Sequence, residues 1–320
     1  MLEDHDDRWI AVNNAYVLGG TASAVEERWQ AHLPMLLHPD PRRVAFLGLG
    51  TGISAGGALD HPFAELLALE IVPEVVQAAR EDFAPWNHGV IDDPRVRVAV
   101  GDGRLALHFA TVRDALAPGG LFCQWLPVYQ LSEAQLAIAA RTFVDVFPRS
   151  TLWRGNFLPD LATLALVGHA GERPLLATRV DTRVEALTPR LGAAEPLLQH
   201  PAGLWLHLVG PLGQGASWLS EARLNTDAHP WLELGGPRAL DARGHFARGP
   251  LAEIYGDPHR ARLESSPLAG LDATHRDWWA MGLALTRATA APADSAPDRV
   301  LEVLRELPPD LRVALGVDER

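Results

Sequence analysis

The sequence contains no lysine: all 28 basic residues among its 320 are arginines, set against 40 aspartates and glutamates. An arginine-only basic complement points to a GC-rich genome rather than to a function. The net charge of −12 argues against general nucleic-acid binding, which needs a basic footprint. It suits a cationic small molecule, which an acidic cleft attracts from a distance. Cysteine is nearly absent too. The single Cys123 excludes internal disulfides and any cysteine-rich metal site, and its place in an apolar strand pattern marks it as a packing residue. No apolar run approaches the roughly eighteen residues of a membrane span. No basic-then-apolar leader opens the chain, so a cytoplasmic location without a membrane segment of its own is expected. The 13 histidines form no His-Glu-x-x-His pattern or close ligand cluster, and no metal is expected.

What is present is organised around Val44-Ala-Phe-Leu-Gly-Leu-Gly-Thr-Gly52. Four apolar residues followed by glycines suit a buried parallel strand running into a tight turn. Gly48, Gly50 and Gly52 let a ligand approach the backbone. Ser54 to Leu59 starts a helix whose N-terminus faces that ligand. A dinucleotide fingerprint wants glycine where Ile53 stands, which weakens a nicotinamide reading. Leu66 to Val72 reads as a second buried strand with Glu70 near its end. A carboxylate about 20 residues beyond the glycine turn is placed to accept both ribose hydroxyls; the alternative is a solvated strand-end carboxylate. A third strand, Arg95 to Val100, ends in Gly101-Asp102-Gly103. Asp102 is there either a ligand contact or a turn former.

These three strands with Gly-x-Gly-x-Gly, Glu70 and Gly101-Asp102-Gly103 resemble a class I S-adenosylmethionine-type, Rossmann-like α/β fold. More narrowly, His38-Pro-Asp-Pro-Arg-Arg-Val44, Asp92-Asp-Pro-Arg-Val96 and Leu116-Ala-Pro-Gly-Gly-Leu-Phe-Cys-Gln-Trp125 resemble the spermidine synthase (polyamine aminopropyltransferase) family. The likeness runs over roughly residues 7 to 170 and is nearest the bacterial branch often fused to membrane segments. It implies decarboxylated S-adenosylmethionine or S-adenosylmethionine as co-substrate, held by Gly48, Gly50, Thr51, Gly52, Glu70, Asp102 and Gly103. It also implies a small-molecule amine near Glu27, Gln124, Tyr129 and Asp227, and admits a homodimer. For Glu27 a solvated helix face is an equal alternative, and for Asp227 the capping of a turn is the stronger one.

Two departures from the family pattern stand out. Typical members carry an aspartate at the position of Thr51, facing the aminopropyl ammonium. With threonine there, little preference for the decarboxylated cofactor is expected. The second departure lies between Asp102 and the next strand, Leu121 to Leu126. A strand plus crossover helix needs about 30 residues, and the single helix expected over Leu105 to Leu116 leaves no room for it. The family's fourth strand, which ends in the catalytic aspartate, has no counterpart, so an internal deletion is expected and no catalytic residue is assigned.

Three segments follow from this reading: a remnant N-terminal β-hairpin (1–20), a nucleoside-binding domain lacking one central strand (21–170) and a mainly helical C-terminal region (171–320). Within them, helices are expected over Thr21 to Leu37, Pro73 to Phe83, Ser132 to Val146, Thr274 to Ala288 and Asp298 to Leu307. Three functions remain open at this level. They are an aminopropyltransferase with lost or much reduced activity, a methyltransferase on the same fold, and a catalytically silent nucleoside-binding or interaction protein.

Overall fold

The computed structural model describes residues 2–4, 7–12, 16–101, 109–158, 161–171, 175–213, 216–226, 228–232, 268–289 and 295–317. By contact the chain forms two compact units, Met1–Val112 with Pro189–Ala194, and Arg113–Thr188 with Glu195–Arg320. This division differs from the change of composition near Gly171.

The first unit opens with β1 (Leu2–Asp4), β2 (Asp7–Val12) and β3 (Tyr16–Gly20). They form a three-stranded antiparallel sheet in that order, one strand more than the expected hairpin. A 3-10 turn, Thr21–Ser23, leads into α1 (Ala24–Leu37). Neither Thr21 nor Ser23 caps that helix by a side-chain bond to its backbone N–H groups; the Ser23 hydroxyl instead donates to the Glu27 carboxylate. Then come β4 (Arg43–Leu47), α2 (Ile53–Gly57), β5 (Glu65–Glu70), α3 (Pro73–Glu81) and β6 (Val96–Val100). Proline at the start of α3 is tolerated because its missing N–H would be unpaired there anyway.

Strands β4, β5 and β6 pair in parallel, in that order, with Val44 opposite Leu66 and Leu66 opposite Val96. Their alternation sorts the side chains by face. Leu66 and Ala68 are fully buried with Ala31 and Met35 of α1 and Ala79 of α3, and Val44, Phe46, Val96 and Val98 pack on the same core. The expectation of a fully buried β4 is corrected here: Ala45 is exposed, and Val44, Phe46 and Leu47 are half-buried. Among the described residues β4 pairs on one side only, as the edge of a three-stranded sheet.

Helix α4 (Phe109–Ala115) and β7 (Leu121–Pro127) follow. The helix expected from Leu105 thus begins at Phe109 among the described residues; residues 102–108 lie outside them. The remaining elements are α5 (Glu133–Val146), β8 (Ser150–Arg154), β9 (Thr163–His169), β10 (Leu175–Leu176), α6 (Ala177–Leu191), α7 (Pro201–Leu206), β11 (Leu208–Leu212), β12 (Leu268–Ala269), α8 (Ala273–Thr289), α9 (Ala296–Arg305) and α10 (Pro309–Ala314). The start of α5 is a capping box, Ser132 accepting from the Gln135 N–H while Gln135 accepts from that of Ser132.

In the second unit β7 lies in a separate, antiparallel sheet of order β11-β8-β9-β7. So β4 and β7 belong to different sheets. The C-terminal region is not simply an appended helical block, because β11 pairs with β8 and extends the sheet begun before residue 170. Asp181 on α6 joins three helices: one oxygen accepts from Trp205 Nε1 on α7 at 2.6 Å, and the other lies 2.8 Å from His275 Nε2 on α8.

Candidate nucleoside site

The glycine loop between β4 and α2 has the backbone its sequence demands. Gly48, Gly50 and Gly52 have φ values of +101°, +55° and +77°, a region that disfavours side chains. Helix α2 is only five residues long, too short to supply the expected field at its N-terminus. The loop therefore offers backbone close approach rather than a helix dipole.

Glu70, at the end of β5, is buried. Its Oε2 accepts from the Leu49 N–H at 3.0 Å and the Gly50 N–H at 3.3 Å. Its Oε1 accepts from the Ile71 and Val72 N–H groups at 2.8 and 3.0 Å. A carboxylate offers about four acceptor sites, and all are used. Glu70 thus fastens the glycine loop of β4 to the end of β5.

A second buried carboxylate reaches the loop from α1. Glu27 Oε1 accepts from the Gly20 N–H at 2.7 Å and the Ser23 hydroxyl at 3.0 Å, while Oε2 accepts from the Thr51 hydroxyl at 2.6 Å. The backbone of β3 covers it closely: a Cβ at Gly19 would lie 2.6 Å from Glu27 Oε1. All its partners are neutral, and among the described residues no cation faces it. Burial raises its pKa above the ordinary carboxylate value, helped by nearby Glu26, while the three hydrogen bonds pull the other way. Of the two alternatives for Glu27, a solvated helix face is excluded.

Asn87, which no motif singled out, locks this region. Its side-chain amide donates to the carbonyls of Thr51 at 3.0 Å and Ala79 at 2.7 Å, and its oxygen accepts from the Gly89 N–H at 3.0 Å. Gly56 lets α2 approach: a Cβ there would stand 2.4 Å from the Asn87 carbonyl oxygen. We expect Gly56→Ala to destabilise the fold by about 1–3 kcal/mol, the range of overpacking, measured as a lowered denaturation midpoint. A midpoint equal to wild type would show that the contact relaxes freely.

The other expected contacts lie either in the second unit or outside the described residues. Gln124 is on β7 in the second unit, half-buried, with Nε2 donating to the Trp125 carbonyl at 2.9 Å. Tyr129, also in the second unit, is 42% exposed on the 3-10 turn Val128–Gln130. Asp102, Gly103 and Asp227 lie outside the described residues. Burial pushes the Cys123 thiol up, which makes it a poor nucleophile. Among the described residues no group of three or more His, Cys, Asp or Glu is arranged for a metal, and no helix is long and apolar enough to cross a membrane.

No family model matches the chain. Polyamine aminopropyltransferase 1 of Hyperthermus butylicus is 42% identical over 89 residues, 28% of this chain and 29% of that protein. Spermidine synthase of Dictyostelium discoideum is 28% identical over 145 residues, 34% of this chain and 51% of that protein. Among solved structures, spermidine synthase from Thermotoga maritima matches with a TM-score of 0.43 at 22% identity, covering 46% of this chain and 60% of that one. The chain spans from 29% to 51% of the length of these two curated relatives. Over the matched stretches it is related in sequence to polyamine aminopropyltransferases, as its motifs imply.

Proposed function

We propose that the first unit binds a sulfonium nucleoside and that the protein is a slow aminopropyltransferase of the spermidine synthase type. Its donor is decarboxylated S-adenosylmethionine and its acceptor a small amine. The observation that carries this reading is the pairing of the glycine loop with two buried carboxylates, Glu70 and Glu27, with no cation facing Glu27 among the described residues. Such a site attracts a cation and repels an anion. Ribose hydroxyls bind by replacing amide donors on Glu70, the first being the longest bond, from Gly50 at 3.3 Å.

Thr51 leaves the loop without a charge of its own, but the Glu27 carboxylate stands 2.6 Å from its hydroxyl. A negative group is therefore present at the loop, and it disfavours the methionine carboxylate of intact S-adenosylmethionine. That removes the feature favouring a methyltransferase. The slow rate follows from the short connection between β6 and β7. The match to the Dictyostelium enzyme supports a deletion: its 145 residues correspond to only 34% of a 320-residue chain, so the relative has positions with no counterpart here. Gln124 does not replace a missing base, since an amide takes no proton at neutral pH.

Calorimetry tests the reading. 5′-Methylthioadenosine is expected to bind, and decarboxylated S-adenosylmethionine to bind at least about tenfold more tightly than the intact form, a difference of about 1.4 kcal/mol. With a panel of diamines, methylthioadenosine release is expected to be detectable but far slower than in a full-length relative. Absence of nucleoside binding overturns the proposal; equal affinity for the two cofactors overturns the role given to the loop charge.

A further inference from the structure

We propose that Glu27 is the base of the transfer step, taking the proton of the acceptor amine on its Oε2. This rests on the aminopropyltransferase reading above. The two buried carboxylates at the glycine loop differ in one respect that matters. Glu70 has four backbone donors on two oxygens and no acceptor site left. Among the described residues Glu27 has two donors on Oε1 and only the Thr51 hydroxyl on Oε2, which leaves a lone pair of Oε2 open to a further partner. A base needs that lone pair, and it needs to lie where the nucleoside's reacting carbon lies. Glu27 meets the second condition through Thr51, which belongs to the glycine loop itself. Its surroundings also suit proton transfer. Burial without a cationic partner raises the carboxyl above its ordinary value, with Glu26 adding to the effect.

In the step itself, an ammonium acceptor loses one proton to Glu27 Oε2. The freed nitrogen lone pair forms a C–N bond to the aminopropyl carbon next to sulfur. The C–S bond breaks, its electron pair stays on sulfur, and the neutral thioether methylthioadenosine leaves. The new secondary amine carries the positive charge formerly on sulfur, and Glu27 returns its proton to water. A carboxylate donated by α1 thus does what the resemblance assigns to a strand-end carboxylate.

The experiment is the pH dependence of kcat/KM for methylthioadenosine formation in wild type, Glu27→Gln and Thr51→Val. Wild type should lose activity on acidification, along a limb above the usual carboxylate range. Glu27→Gln should fall at least about a hundredfold, within the usual range for losing a general base, and lose that limb, while binding methylthioadenosine within about threefold of wild type. Thr51→Val removes a donor to the charged form and should move the limb to higher pH. A merely structural glutamate would not give that shift. The proposal falls if Glu27→Gln keeps the wild-type rate and limb. Should Glu27→Gln not fold, an unmoved limb in Thr51→Val overturns it. A wild type that binds the nucleoside but transfers to no diamine overturns this proposal together with the transferase reading. A transferring wild type with an unchanged Glu27→Gln overturns this proposal alone.

Discussion

Replacing Glu70 by alanine is expected to cost the first unit about 3–5 kcal/mol and to free the glycine loop. The carboxylate accepts four backbone N–H groups from two strand ends: Leu49 and Gly50 after β4, Ile71 and Val72 after β5. Hydrogen bonds to a charged group contribute about 1.5–3 kcal/mol each, and a buried donor left unpaired costs about 1–3 kcal/mol. The four do not add in full, because water reaches the Ile71 end, where the side chain is 47% exposed. Leu49 is buried, and its N–H has nowhere else to go. Glu70→Gln separates the two halves of the interaction. Its single carbonyl oxygen serves one pair of amides while its NH2 group faces the other pair, so about half the loss is expected. Chemical denaturation of the full chain measures the total. Hydrogen exchange at the Leu49 and Gly50 amides measures the local part, with protection expected to drop at least about tenfold in Glu70→Ala. Wild-type exchange at both amides in that variant would show that the loop holds its shape without Glu70.

The same residue shows where sequence reasoning stops. Glu70 was recognisable at a strand end about 20 residues past a glycine turn, because strand period and turn chemistry are local properties. Its four amide partners were not, since they depend on how two loops lie against each other. Helix α3 with its initial proline, the helix from Ser132 and the strands β5, β6 and β7 were likewise legible from short-range pattern. The pairing of β11 with β8 joins residues more than fifty positions apart, and nothing in Leu208–Leu212 alone announces its partner. Asn87 carried a weak signal, an asparagine two residues before a glycine, and His88 and Gly89 after it do take positive φ. Such a loop suggests a sharp turn but not which carbonyls the side chain holds. The burial of Glu27 was hidden for a related reason. Glu26 and Glu27 look alike as early helix acids, and only the cover given by Gly19 and Gly20 distinguishes them.

Acidification from pH 7 to pH 5 should weaken the first unit, by about 2 kcal/mol from His61 alone, through a histidine pair that the site does not use. His32 on α1 and His61, after the 3-10 turn Ala58–Asp60, are 0% and 4% exposed, with Nδ1 of one 2.9 Å from Nε2 of the other. Such a contact needs one ring to donate and the other to accept, and two charged rings have no lone pair to offer. Burial, first, and neighbouring positive groups, second, push both pKa values down: His61 to about 3, facing Arg190, and His32 well below its usual value, facing His61, Arg28 and His88. The unfolded chain takes up two protons as pH falls through 6.5, while folded His61 takes up none until near 3 and folded His32 protonates only well below its usual range. Stability from the pair is therefore complete above about 6.5 and lost as pH falls, by about 2 kcal/mol from His61 at pH 5, with His32 adding in the same sense. Glu27 and Asp60 act in the opposite sense, because their raised pKa values let the folded chain bind protons first, so the net slope is somewhat shallower. Denaturant titrations at pH 7, 6 and 5 measure the loss, and a His32→Asn, His61→Asn double variant should flatten it while lowering stability at pH 7. If that variant keeps the wild-type slope, the acid sensitivity lies elsewhere and the buried pair is not its source.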